Sequence, residues 1–432
     1  FKELVVNMYY SNYSLPTYVT LWNPDAFIKT TIIPVVLMFV INLLILMRML
    51  RHTPLQFLRC DLKKNKRKKA MRLPKWNFLS RFRLRIIFQN IPNYLILFVG
   101  IAFISIMLAM AIGMPSTLQY YKDNTKDMMI ADYQYVLKSY KDETGKEITT
   151  KNSDAEKFSM DSLLYKTDAM DEEVSVYGVE DTSKYISLPD AKNLKEKEVY
   201  ISKPFRDKYD VAVGDTVTLN AKYEKKKYSF KVKGFFEHSQ SIAVFMPIEQ
   251  YRTAFDKDDD AFDGFFTNTK IKDVKKDYIA TVITEREITK MSNQLDHTMG
   301  SYMLYFQFLC VVLSAVLIYL LTKIIIEKNE VAISMTKILG YTDGEIAKLY
   351  LLATTIVVIV CAALSVLVGT LVMRNVWTVM LQSMSGWFTF IMGPLDYIKM
   401  FAFIFVGYLV VMLFDFRRIR KIPLDEALKR VE

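Results

Sequence analysis

Apolar residues along this chain gather in five runs, each near the ~20 residues a helix needs to cross a bilayer. The runs are Thr30–Met47, Asn93–Gly113, Tyr302–Ile326, Leu349–Met373 and Ile398–Phe414; their interiors hold almost no ionisable groups, Lys323 and Lys399 lying near the ends, and Asn42 and Gln307 are the main polar exceptions. They predict five transmembrane helices. Between the second and third runs the period changes. Val217, Leu219 and Ala221 alternate with polar neighbours, as do Tyr228, Phe230 and Val232, which predicts strands over Thr216–Tyr223 and Tyr228–Lys233. Polar Glu224–Lys227 reads as the hairpin turn between them, and Val213-Gly214-Asp215 as a turn ahead of the first. Thr117–Met129 and Thr284–Gly300 read as helical, so the second and third spans continue out of the membrane as stalks. The predicted fold class is a polytopic α-helical membrane protein with an inserted α+β extracytoplasmic domain.

Charge orients these spans, because Lys and Arg collect on the cytoplasmic side. Arg48–Pro92 holds fourteen basic residues against one acid, Asp61, and Arg417, Arg418, Arg420, Lys421, Lys429 and Arg430 follow Phe414. Both segments are expected in the cytoplasm, as is the short loop Glu327–Lys348. Met114–Gly300 and the loop Arg374–Tyr397 are then expected outside. That outside domain carries 29 basic and 34 acidic residues, so the formal charge of +11 resides elsewhere. It reads as a topology signal, and no nucleic-acid partner is expected. The basic run Leu62–Lys69 reads as a solvated linker, or as a site for anionic membrane lipid at ~1 kcal/mol per nearby cation. Trp76–Ile91, where aromatics and aliphatics interleave with Arg81, Arg83 and Arg85, suits an interfacial helix.

A repeat brackets the chain. Leu21–Thr30 (LWNPDAFIKT) precedes the first span and Ile391–Met400 (IMGPLDYIKM) the last, while Met49–Arg59 and Arg418–Arg430 carry basic exits with Pro-Leu. Pro24 and Pro54 are 30 residues apart, Pro394 and Pro423 29. Both copies run from outside to inside. Residues 1–60 therefore read as the last span and exit of a first module, 61–92 as linker and interfacial helix, and 93–113 as a span. The domain occupies 114–300, followed by a span at 301–326, a cytoplasmic loop at 327–348 and a span at 349–373. An outside loop at 374–397, a span at 398–414 and a tail at 415–432 complete the order. A chain that begins outside without a signal peptide is expected to be part of a longer protein.

At 52% hydrophobic residues the chain is not disordered, and three Cys exclude a disulfide scaffold. Thr144-Gly145-Lys146-Glu147 lacks the flanking residues of a P-loop. His52, His238 and His297 are scattered, Cys310 and Cys361 fall within spans, and Cys60 lies in the basic loop. Asp256–Asp263 is acidic, but Ala261 and Thr267 stand where a calcium loop needs Gly and Glu, so a solvated loop is the simpler reading. No catalytic residue, metal or bound cofactor is expected.

The layout resembles the FtsX-like permease family of ABC transporters. Asn93–Phe414 shows its four spans with a large domain after the first. Val211–Leu219 (VAVGDTVTL), Val232–Glu237 (VKGFFE) and Val244–Tyr251 (VFMPIEQY) look like the family's MacB-type periplasmic core domain. Glu327–Ile346 (EKNEVAISMTKILGYTDGEI) is similar to its cytoplasmic loop, with Ser334 and Ile338 where Gly and Ala are usual. Pro92 stands where basic residues often precede the first span.

The resemblance implies a non-catalytic permease subunit, multi-pass in the bacterial cell membrane. ATP would be bound and hydrolysed by two copies of a separate ABC ATP-binding subunit, and an N-terminal permease module would complete the chain. The implied role is export or removal of peptides, lipids or amphiphilic drugs, antimicrobial peptides and lipoproteins included. The alternative within the family is a mechanotransmitter that regulates an outside partner, such as a cell-wall hydrolase. Few charges inside the spans argue against an ion-coupled carrier.

In the cytoplasmic loop, Glu327–Leu339 is helix-compatible and ends at Gly340, and Thr342 with Glu345 forms a capping box for the next helix. Val331, Ile333, Met335 and Ile338 supply apolar contacts, with Glu330 and Lys337 directed to water or a partner. The resemblance implies a coupling helix that docks on the ATPase through Glu330, Ile333, Lys337, Leu339, Gly340, Tyr341 and Glu345. The plainer alternative is a capped turn between two spans.

Overall fold

The structure is a computed structural model that describes residues 23–50, 78–189, 191 and 194–423. Pro54, the basic run Leu62–Lys69 and the tail after Pro423 lie outside the described residues. The chain divides into two units, 1–81 and 82–432. In the first, Asn23 accepts from Ala26 N at 3.3 Å and caps α1 (Pro24–Phe27), with Pro24 in the first turn, where an N–H would have no partner. A π-turn (Ile28–Ile32) leads into α2 (Ile33–Leu50), whose described side chains are exposed.

α3 (Phe78–Gln89), which belongs to the second unit from Phe82 onward, is followed by α4 (Ile91–Asp123), which carries the second apolar run beyond its end as a stalk. The stalk stops at Asp123, short of Met129, and gives way to a 3-10 turn at Lys126–Met128. The inserted domain then runs β1 (Tyr133–Leu137), β2 (Glu156–Lys166), β3 (Asp171–Val179), β4 (Glu198–Ser202), α5 (Lys203–Tyr209), β5 (Thr216–Ala221), β6 (Lys227–Phe236), β7 (Ala243–Pro247), α6 (Ile248–Phe255), β8 (Gly264–Thr267) and β9 (Ile279–Thr284).

Six of these strands close on themselves. β2 pairs with β3, β3 with β7, β7 with β4, β4 with β6, β6 with β5, and β5 returns to β2 at Leu163 and Leu164. Closure removes the unpaired edges that an open sheet must protect. Val174, Val176, Ile201, Val217, Phe230 and Val244 fill the interior. β8, β1 and β9 branch from the start of β2. The β5–β6 hairpin pairs Thr216 with Lys231 through Asn220 with Lys227, where the alternation predicts it.

Beyond β9, α7 (Glu285–Lys328) is one helix of 44 residues, stalk and span together. It is followed by α8 (Glu330–Ile338), α9 (Asp343–Gln382) and α10 (Pro394–Lys421). α4, α7, α9 and α10 form a bundle around Leu97, Ile101, Leu108, Val358, Ile404 and Val411. Among the described residues, these four and Pro24–Arg48 are the helices long and apolar enough to cross a membrane. The chain is thus a multi-pass membrane protein with an inserted α+β domain.

Two further boundaries differ from the sequence reading. The loop expected at Arg374–Tyr397 is confined to residues 383–393, because helix-compatible residues continue to Gln382 and the first breakers are Ser383, Ser385 and Gly386. The helix expected over Glu327–Leu339 is broken at Asn329, whose side chain bonds back to Ile325 O at 2.6 Å.

Candidate functional site

Two places bring polar chemistry to the ends of the bundle. At the domain end the short loop 383–393 is gripped from both sides. Ser202 caps α5, its Oγ accepting from Phe205 N at 3.3 Å and from Ala243 N at 3.0 Å. That fixes the helix so that Lys208 and Tyr209 face the start of β3. Lys208 Nζ donates to Glu172 Oε2, to Met384 O at 2.7 Å and to Gly386 O at 3.2 Å. The three partners match the three ammonium protons. Glu172 Oε1 accepts from Gly386 N at 2.9 Å, and Tyr209 Oη donates to Glu172 Oε2 at 3.0 Å. Both side chains of the pair are shut off from solvent, Lys208 at 0% and Glu172 at 2% exposure. Burial and then the Glu172 charge hold the Tyr209 hydroxyl above the usual phenol range, so it stays a donor. Gly386 has φ +83°, a conformation that other residues enter only at a cost.

The same loop is pinned to the stalk and the bundle. Ile391 N donates to Thr117 Oγ1 at 3.0 Å, and Thr117 Oγ1 donates to Ile391 O at 2.9 Å. Thr389 N donates to Tyr121 Oη at 2.9 Å, and Trp377 Nε1 donates to Phe388 O at 3.1 Å. Trp387 packs partly against both the domain core and the bundle core.

At the opposite end, α8 rests on a small core of its own. Ile333 is fully buried with Ile86, Ile326, Ile346, Tyr350 and Ile419. α8 ends in a Schellman arrangement, with Gly340 at φ +89°, Gly340 N donating to Lys337 O at 3.0 Å and Tyr341 N to Thr336 O at 3.4 Å. Thr342 and Glu345 form the predicted capping box at the start of α9. Met335, Ile338, Leu339 and Tyr341 stand exposed around this turn. Leu339 is the most open of them at 73%.

The residues expected to dock a partner are thus divided. Leu339 and Tyr341 share the exposed apolar patch, while Ile333 lies beneath it and Glu330 is half-buried. Lys337 is not directed to water. Its side chain, 9% exposed, pairs with Asp343 at 3.1 Å and donates to the carbonyls of Ile419, Arg420 and Ile422 at 2.9–3.2 Å. The cause is geometric, since the last turn of α10 presents unpaired carbonyls beside α8. Arg418 adds a 2.7 Å bond to Glu327.

Sequence reasoning missed Glu172, Lys208, Tyr209 and Trp387, and for the first three no local signal exists in a domain so rich in Lys, Glu and Tyr. Arg374 had a signal: it is the lone basic residue between Lys348 and Lys399.

Two family models match the chain. The MacB-like periplasmic core domain matches residues 93–283, and the FtsX-like permease C-terminal region matches 304–424, together more than two thirds of the chain. None of the curated proteins compared with the chain matches it. Among solved structures, the chain is similar to the extracellular domain of the noncanonic ABC-type transporter YknZ from Gram-positive bacteria, with a TM-score of 0.23 and 10% identity over 39% of this chain and 94% of that one.

Proposed function

Because the chain belongs to the FtsX-like permeases of ABC transporters, with a MacB-like domain inserted between its spans, we propose that it couples ATP hydrolysis in a separate subunit to movement of that domain. The ATPase docks on the apolar patch of Met335, Ile338, Leu339 and Tyr341. The patch and the basic end of α10 face the cytoplasm in this reading, which the basic residues there support. The inserted domain faces outward. The observation that supports this reading most is that α9 and α10 are held at both ends. Lys337 clasps the last carbonyls of α10 beside the patch, and Glu172 with Lys208 clasps the loop joining the same two helices beneath the domain. The work done is export or removal of peptides, lipids or amphiphilic drugs.

A second reading has the domain regulate an outside partner with no transported substrate, and the same clasp fits it, because it joins the domain to the loop between α9 and α10. One experiment separates the two. The permease is reconstituted with its ATPase, and hydrolysis is measured with candidate peptides and lipids and then with candidate protein partners. Stimulation by small ligands supports transport. Stimulation by a protein partner alone overturns it in favour of the regulatory reading. Leu339→Glu should abolish either response, and an intact response would sink the docking role of the patch.

A further inference from the structure

Between the outer end of α9 and the loop before α10 lies a cavity of about 340 Å³, lined by Arg374, Trp377, Trp387, Thr389 and the chain through Met392. Three features mark its chemistry. Arg374 is exposed, its guanidinium reaches only the Tyr397 hydroxyl at 3.5 Å, and among the described residues no carboxylate lies within ion-pairing distance. The nearest acid on α10, Asp396, is already occupied by Gly393 N at 3.0 Å and by Lys399 at 3.6 Å. Trp387 Nε1 is buried without an acceptor. A buried donor left unpaired in an otherwise satisfied loop calls for an acceptor that enters from elsewhere. The wall thus offers a cation with no competing anion, and the indole that carries the unpaired N–H is part of it.

Its depth is equally informative. Arg374 follows directly on the apolar run that ends at Met373, and Tyr397 precedes the next run, which puts the cavity at the outer margin of the apolar spans. Trp377, Trp387 and Tyr397 suit that level, since amphipathic rings collect at the interface. A guanidinium binds phosphate with two parallel bonds, which an ammonium cannot do.

The geometry points to a site for the phosphate head of a phospholipid from the leaflet on the domain side, held by Arg374 and Trp387 Nε1. This rests on the permease reading for its consequence. Trp387 packs partly into the domain core and Gly386 is bonded to Glu172 and Lys208, so an occupant of the cavity touches the loop through which the domain is held.

The test measures binding without ATP, which keeps it separate from failure of the coupling reading. The intact permease with its ATPase is stripped of lipid in detergent and titrated with phosphatidylglycerol, diacylglycerol or inorganic phosphate, with bound lipid counted by native mass spectrometry. Phosphatidylglycerol is expected to bind and diacylglycerol not to displace it. Arg374→Gln should weaken binding about tenfold, as loss of one charge-assisted contact would. Trp387→Phe, which keeps an aromatic ring but loses the N–H together with the five-membered ring, should weaken it severalfold. Wild-type binding by both variants, or equal competition by diacylglycerol, would overturn the site. Inorganic phosphate binding as tightly as the lipid would overturn the lipid as its source.

Discussion

Glu172 and Lys208 form a fully buried ion pair whose remaining hydrogen bonds to the chain outside the domain all reach the loop of residues 383–393. Such a pair contributes little net stability as a pair, yet removing one partner strands the other in a dry site at a cost of about 3–5 kcal/mol.

Glu172→Gln or Lys208→Met alone should therefore lower the melting temperature of the permease measurably. The double variant Glu172→Leu with Lys208→Met should regain most of that loss. It should not regain ligand-stimulated ATPase activity, because the loop is no longer gripped. Full activity in the double variant would show that the clasp is structural only.

Lys337 is a second, largely shielded cation with a helix end in its grasp. Lys337→Met leaves the carbonyls of Ile419, Arg420 and Ile422 without their donor, at about 1–3 kcal/mol for unsatisfied groups. Hydrogen exchange should then show fraying of the last turn of α10 with its middle still protected. Unchanged protection there would refute the clasp.

The exposed patch gives the opposite pattern. Leu339→Glu and Tyr341→Ala remove no buried contact, so the melting temperature should hold within about 0.5 kcal/mol of equivalent stability. Affinity for the ATPase should fall by about 30-fold or more if these are central anchors, a cost of ~2 kcal/mol. Co-purification with the partner reads both.

Acid sensitivity follows from Asp154. Its carboxylate accepts from Lys184 Nζ at 2.8 Å and from Asn268 N at 2.8 Å, which holds the acid well below its usual range. The unfolded residue takes up a proton near pH 3.8 while the folded one stays ionised, so this contribution is complete above that pH and is lost as pH falls. Asp263 runs the other way: burial raises its pKa, so its ionisation favours unfolding as pH rises above 3.8. Asp154→Asn should flatten the fall in melting temperature between pH 5 and 3, roughly the window around that unfolded value. A variant as acid-sensitive as the wild type would contradict the assignment.

The spans were legible because a bilayer imposes length and composition on every crossing, and both survive in the residues alone. Thr342 and Glu345 were legible too, since a capping box is a four-residue event. The β5–β6 hairpin was readable for the same local reason. The strand ring was not, because β2 with β3 is a local pairing but β3 with β7 and β5 with β2 join segments tens of residues apart, and in β7 burial on both faces erases the period. Lys337 shows the limit in one side chain. Sequence supplied its charge and its place on a helix, but the acceptors it points to lie 82 residues away and beyond. Lys208 is the same case at greater distance, with its loop carbonyl at Met384 176 residues on.

Helix α10 has 28 residues, about 42 Å at 1.5 Å per residue. It begins just past the gripped loop and ends in the carbonyls that Lys337 holds, and Met400, Ile404, Tyr408 and Val411 bury its middle in the bundle. Fastened at both ends and packed along its middle, it is a tie rod rather than a free span. In the coupling role proposed above, a sideways push on α8 would reach the loop of residues 383–393 through it.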